Sequence, residues 1–168
     1  HDALPISEGL PVAKLSLLGV EPAEMLAMLA AGFELNPDRG EPVASLWRMI
    51  IDRLTEFRYG QVDAVVLLDD VGDASQPVLD QVTRLVQYDP SPESRLTVVL
   101  AGRPEQASRL GRRLLELVEL RIDVEPWQQA DTEEFLKSAL AQAGCQSPLF
   151  DEPAVARLHQ LAHGIPRR

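Results

Sequence analysis

The sequence predicts an α/β fold, a parallel sheet flanked by helices and followed by a small appendage of helices alone. Three observations carry this. Ala64-Val65-Val66-Leu67-Leu68 and Leu96-Thr97-Val98-Val99-Leu100-Ala101 are short apolar runs, β-branched in part, of the kind buried on both faces of a parallel sheet. Segments of helical period separate the apolar runs, as in βαβ units. From Trp127 onward only helical patterns remain.

Each element has its own signal. Val12 to Leu18 reads as a strand stopped by Gly19. Glu21 to Ala31 reads as a helix, with Pro22 in its first turn, Met25, Leu26, Met28 and Leu29 on one side, and Gly32 past its end. Asn36-Pro37-Asp38-Arg39-Gly40 is a loop by its turn residues. A longer helix begins near Pro42, with Leu46, Trp47, Ile50, Ile51, Leu54 and Phe57 at helical spacing, and these are core candidates. After the first apolar run, Ser75 caps a helix to about Gln87 that turns Val78, Leu79, Val82, Leu85 and Val86 inward. Asp89-Pro90-Ser91-Pro92 leads to the second run. Glu105 to Val118 reads as a helix, and Leu120-Arg121-Ile122-Asp123-Val124 as an alternating strand. Asp131 with Glu134 resembles a capping box, opening a helix with Phe135, Leu136, Ala139 and Leu140 before Gly144. Asp151 starts a last helix, carrying Val155, Leu158 and Leu161 and closed by Gly164.

Composition narrows the function. The chain has 168 residues and a formal net charge of −10, which repels phosphate backbones and disfavours direct nucleic-acid binding. No apolar run reaches the roughly 18–20 residues of a membrane span. A single cysteine, Cys145, excludes an internal disulfide and a cysteine-based zinc site, and fits a reducing cytoplasm. His159 and His163 stand four apart on one helix, but without the carboxylate motif of zinc hydrolases they read as solvated or packing residues.

The informative unit is Val65-Val66-Leu67-Leu68-Asp69-Asp70. Ending a buried strand in two carboxylates puts charge at the carboxyl edge of the sheet, where ligands bind in open α/β folds. Adjacent carboxylates repel and favour a cation beside them. The simpler alternative is that Asp69-Asp70 opens a polar loop with Gly72 and Asp73. The neighbouring strand ends Leu100-Ala101-Gly102-Arg103-Pro104, which places a cation at the same edge, although Arg103 alone reads as an ordinary surface arginine.

These residues resemble a known family. Leu67-Leu68-Asp69-Asp70 looks like a Walker B element, and Leu96 to Glu105 like the sensor-1 strand that ends Gly-polar-Pro-Glu. Arg121-Ile122 resembles the arginine-isoleucine pair before the last sheet strand, and Phe150-Asp151 through Gly164-Ile165-Pro166-Arg167 the lid helix and sensor-2 turn. Together, from about Pro11 to Arg168, they resemble AAA+ P-loop ATPases of the general secretion pathway protein A type, relatives of the origin-recognition and transposition ATPases.

The resemblance implies ATP and Mg²⁺ as ligands. Asp69 would hold the metal and its water shell. Asp70 stands where the family usually has glutamate, which orients and deprotonates the attacking water; one methylene shorter, it leaves slow or absent hydrolysis open as the alternative to an active ATPase. Arg103 stands at sensor 1, commonly glutamine or threonine, and would meet the γ-phosphate. Arg121 would be the arginine finger reaching a neighbouring subunit's nucleotide; it reads equally well as an edge-strand arginine paired with Glu119 or Asp123. Arg112 and Arg113 are weaker candidates for that role. Arg167 would be sensor 2, coupling bound nucleotide to lid closure.

No Gly-x-x-x-x-Gly-Lys-Ser/Thr occurs, and Lys14 is not in such a loop. His1-Asp2-Ala3-Leu4-Pro5-Ile6 resembles a translated adapter end, so residues 1–7 read as a scar and the phosphate loop as lost upstream. The expected organisation is an AAA+ α/β subdomain without its P-loop over residues 8–125, and a partial helical lid over 126–168 that ends at sensor 2. The leading expectation is an ATPase, acting as a homo-oligomer, that remodels a protein partner of the secretion or envelope kind. A non-hydrolysing nucleotide-dependent switch is the rival, and a generic α/β domain with acidic loops the third reading.

Overall fold

Three parallel strands, β1 (Val12–Ser16), β2 (Ala64–Asp69) and β3 (Leu96–Leu100), lie side by side in the order β1-β2-β3. The computed structural model describes residues 10–91, 93–145 and 149–166. The expected scar at residues 1–7 and the expected sensor Arg167 fall outside them. The described residues form two compact units, one ending at Leu120 and the other starting at Arg121.

In the first unit, α1 (Pro22–Gly32) and α2 (Val43–Tyr59) connect β1 to β2, and α3 (Gln76–Val86) connects β2 to β3. Parallel pairing requires such crossovers, because a short turn reverses the chain. The register aligns Leu15, Leu68 and Leu100 across the sheet. Side chains alternate along each strand, so Ala13, Leu15 and Leu17 share a face with Ala64, Val66 and Leu68, and all six are buried. Met25, Leu26 and Leu29 of α1, Leu46, Trp47, Ile50 and Leu54 of α2, and Val78, Leu79, Val82 and Leu85 of α3 complete the core. Trp47 is buried with its one polar atom satisfied, donating from Nε1 to Gln81 Oε1 at 2.8 Å.

Several expectations need correction. Val65 and Leu67 on the second face of β2 are only half-buried, and Thr97 and Val99 on that face of β3 are exposed. The apolar runs are therefore closed on one face of the sheet and not on both. Met28 is exposed while the rest of the α1 stripe is buried. Ser75 stands at the N-cap of α3 without a side-chain capping bond. The helix expected from Glu105 to Val118 is a 3-10 stretch, Pro104–Leu110, followed by the short α4 (Gly111–Leu115). Gly111, the first residue of α4, separates the two pieces, its φ of 75° lying outside the right-handed helical range. No strand forms at Leu120–Val124: Leu120, Ile122 and Val124 are 75%, 76% and 86% exposed, and no described strand pairs with the segment. An alternating pattern makes a strand only where a neighbouring edge satisfies its backbone.

The second unit pairs α5 (Gln129–Gln142) with α6 (Glu152–Ala162). α5 starts earlier than its pattern suggests, and Asp131 sits in its first turn, where it accepts the Gln128 N–H at 2.8 Å. Asp151 caps α6 as expected, accepting the Ala154 N–H at 2.9 Å. Phe135 is half-exposed but rests against Trp127, ring centroids 5.2 Å apart. Val155 is the one buried apolar residue of this unit among the described residues.

Because β2 is paired on both sides and Leu68 is fully buried, Leu68→Ala should remove about 2–5 kcal/mol from the first unit. Urea denaturation followed by far-UV circular dichroism measures this. A cost under about 0.5 kcal/mol would contradict the packing described.

Candidate functional site

β2 delivers Asp69 to the carboxyl edge of the sheet, beside Ser16 at the end of β1. Main-chain hydrogen bonds continue past the strand ends on both sides. Leu17 N–H donates to Asp69 O at 2.9 Å, Ala101 N–H to Leu68 O at 2.8 Å, and Val71 N–H to Ala101 O at 3.1 Å. The three chain exits are thus tied together.

At Asp70 the backbone turns left-handed, with φ 56° and ψ 33°. Among L-residues, aspartate and asparagine enter this region most readily. The turn brings the Asp70 N–H onto Asp69 Oδ1 at 2.9 Å, and Asp70 Oδ2 accepts the Ser16 hydroxyl at 2.9 Å. Asp69 Oδ2 takes no hydrogen bond among the described residues. The two carboxylates are half-buried at an open edge.

Mg²⁺ keeps several waters and takes one or two protein carboxylates, the rest coming from substrate phosphates. Asp69 with an unengaged oxygen, and Asp70 next to it, fit that donor set. A cage built wholly from protein is not available, since no cluster of three His, Cys, Asp or Glu occurs among the described residues.

Arg103 leaves β3 at the same edge, but it is not free. Its Nη2 donates to Asp73 Oδ2 at 3.0 Å and its Nε to Gln106 Oε1 at 3.3 Å. Gln106 Nε2 donates to Asp73 Oδ1 at 2.6 Å, and Arg109 Nη1 lies 3.8 Å from that same oxygen. The hydrogen bond from Arg103 is the main force holding the Asp73 carboxyl below its ordinary 3.8; partial burial opposes it, and the Gln106 bond and the charges of Arg103 and Arg109 reinforce it.

The other expected residues are held as follows. Arg121 belongs to the second unit and is engaged with Asp123 Oδ1 by Nε at 3.0 Å and Nη2 at 2.7 Å, the pairing that one of its two readings predicts. These bonds raise its already high pKa. Arg112 pairs with Glu116, and Arg113 donates to Gln87. His159 Nδ1 lies 2.9 Å from the Thr132 hydroxyl. Sequence reasoning missed Ser16, Gln106 and Arg109, and took Asp73 only as loop filler. Ser16, a small polar residue ending an apolar strand, carried the one legible signal.

A carboxyl whose pKa is lowered by folding adds stability that is present above its unfolded value, near 3.8, and lost as the pH falls through its lower folded value. Asp73→Asn should therefore melt below the wild type near pH 6 and converge with it at about pH 2. Thermal unfolding at the two pH values checks this, and a gap that persists in acid would mean the loss is not electrostatic.

No family model matches the chain. It is 30% identical over 148 residues to General secretion pathway protein A of Aeromonas hydrophila, a match taking in 86% of this chain and 27% of that protein. The chain thus spans about a quarter of the relative's length. Among solved structures, Cdc6p from Pyrobaculum aerophilum superposes with a TM-score of 0.65 at 14% identity, over 87% of this chain and 39% of that one. The Aeropyrum pernix ORC2 protein, solved as ADPNP-ADP complexes, gives 0.59 at 14% identity, over 80% and 37%. A Thermotoga maritima RuvB mutant gives 0.50 at 15%, over 94% and 51%. At such low identity these structures speak for the fold, an incomplete AAA+ core with a helical region after it. Sequence and fold agree: the chain is similar to General secretion pathway protein A and has the fold of an incomplete AAA+ core.

Proposed function

We propose that the protein carrying this chain is an AAA+ ATPase that binds Mg²⁺ and ATP at the carboxyl edge of the sheet, with the nucleotide between subunits of a homo-oligomer. The observation that supports it most is the placement of Asp69 and Asp70 at the exit of the doubly paired strand β2, with Arg103 at the exit of β3. Bound there, Mg²⁺ would neutralise charge developing on the phosphates. Asp69 is the residue for the metal and its waters. Asp70 orients the attacking water and accepts its proton. Arg103 offers hydrogen bonds to the γ-phosphate.

Arg121 is proposed as the finger toward a neighbouring subunit. It would first have to leave Asp123, and an exposed pair of that kind is weak because water screens it. Arg167 is proposed as the lid residue that senses the nucleotide. Hydrolysis would then drive the helical lid and remodel a partner. The name of the Aeromonas relative points to a secretion complex as that partner, and a net charge of −10 points away from nucleic acid. No helix among the described residues is long and apolar enough to cross a membrane, and a cytoplasmic site of action is part of the proposal.

One observation favours a slower reading, a nucleotide-dependent switch that hydrolyses little. Asp70 has a short side chain, and its carboxylate is already held by Ser16. A base must reach within about 2.6–3.2 Å of the proton it takes.

In the natural full-length protein, Asp69→Ala should abolish Mg²⁺-dependent ATP turnover, lowering kcat at least about 100-fold by the scale of lost charge stabilisation. A phosphate-release assay measures it, and turnover equal to wild type would sink the metal assignment. Asp70→Glu separates the two readings. A gain in turnover marks an ATPase held back by a short base, whereas tight ATP binding with no turnover in the wild type marks the switch.

A further inference from the structure

Asp73 has no part in the function proposed above, yet three side chains converge on it. It ends the 3-10 turn Val71–Asp73 that follows β2, while its partners lie at the start and along the 3-10 stretch that follows β3. Asp73, Arg103 and Gln106 form a closed ring: arginine to carboxylate at 3.0 Å, amide to carboxylate at 2.6 Å, and arginine to amide at 3.3 Å. Arg109 adds a second guanidinium, donating to Gly72 O at 3.2 Å.

An exposed ion pair is ordinarily weak and loosely defined. This one is better determined. The Asp73 side chain is only 24% exposed and uses both oxygens. The two loops also touch directly: a Cβ on Gly72 would overlap the Gln106 side chain, so position 72 admits no residue larger than glycine without moving that ring. Arg103 spends Nε and one hydrogen of Nη2 on the ring, while its Nη1 edge carries no hydrogen bond among the described residues and the side chain is 68% exposed. A fork held from one side keeps its other side for a planar or tetrahedral oxyanion. One carboxylate against two guanidiniums also leaves the cluster one unit positive, in a chain that is strongly acidic elsewhere.

We propose that Asp73 is a positioning residue that, with Gln106, fixes Arg103 at the sheet edge so that its unengaged N–H groups meet the terminal phosphate of ATP. This rests on the reading that Arg103 faces the γ-phosphate. Asp73 itself touches no ligand. It removes the motion that a long arginine would otherwise give up on binding, and so tightens ATP without tightening ADP, which has no phosphate to meet the fork.

The test compares ATP and ADP dissociation constants by calorimetry, with Mg²⁺ and before turnover, in the natural full-length protein. The variants are Arg103→Ala, Asp73→Asn and the double variant. Asp73→Asn keeps the shape and one acceptor for Gln106, while it removes the charge and puts an NH2 donor where an oxygen accepts from Arg103. The expected result is that each single variant lowers the preference for ATP over ADP about tenfold, the low end for losing a supporting partner of a ligand-binding side chain. The double variant should be no worse than Arg103→Ala. If Arg103→Ala lowers the preference and Asp73→Asn does not, Asp73 has no positioning role and the Arg103 reading stands. If Arg103→Ala changes nothing, the reading of Arg103 falls and the proposal with it. Additive losses would show that Asp73 acts apart from Arg103 and would overturn the proposal too. Should Asp73→Asn fail to fold, Gln106→Met opens the ring from the other loop and must lower the preference in the same direction. A readout without nucleotide accompanies these: the Arg103 Nε–H resonance should exchange slowly with water in the wild type and fast in Gln106→Met, which removes its acceptor, and equal rates would count against the ring.

Discussion

The double pairing of β2 is the constraint on which the rest depends. Hydrogen-bonded on one side to β1 and on the other to β3, it cannot shift register without breaking two ladders at once. A slip of one residue would also turn Ala64, Val66 and Leu68 out of the core. The apolar run therefore fixes where Asp69 emerges. Everything at the edge inherits that position: Ser16 by register, Val71 through its bond to Ala101, and Arg103 through the chain that follows. The site is precise because the strand beneath it has nowhere else to go.

Much of the first unit was legible because its signals are local and redundant. Leu46, Trp47, Ile50 and Leu54 repeat at helical spacing, and they are buried together. The run 64–68 followed by two acids placed Asp69 at a strand exit. What stayed hidden is what depends on neighbours. Leu120-Arg121-Ile122-Asp123-Val124 alternates like a strand, but alternation does not say whether an edge is there to pair with. The ring around Asp73 joins residues about thirty positions apart, and no spacing rule reaches that far. Gly111, by contrast, was a readable break inside the expected helix 105–118, outweighed by the apolar pattern around it.

Charge at the edge is organised by side chains that touch no ligand. Two bare carboxylates would repel, yet Asp70 is drawn to the Ser16 hydroxyl and Asp69 accepts a backbone N–H. The neighbouring loop gathers two guanidiniums around one carboxylate. Acidic and basic halves of the edge thus stand on separate strand exits, the first hydrogen-bonded by a hydroxyl and a backbone N–H, the second neutralised in part by Asp73. A metal–phosphate ligand, positive at one end and negative at the other, meets the same order of charge.

The left-handed backbone at Asp70 limits which residues this position accepts without strain. An L-residue of longer chain costs about 1–2 kcal/mol when forced into that region, a toll that glycine escapes and that asparagine and aspartate soften through local hydrogen bonds. Position 70 therefore favours those three residues on backbone grounds. Exchange for glutamate, which adds one methylene, asks the loop between Asp69 and Val71 to re-form as well. Backbone and side chain at this position are coupled, and a change to one is felt by the other.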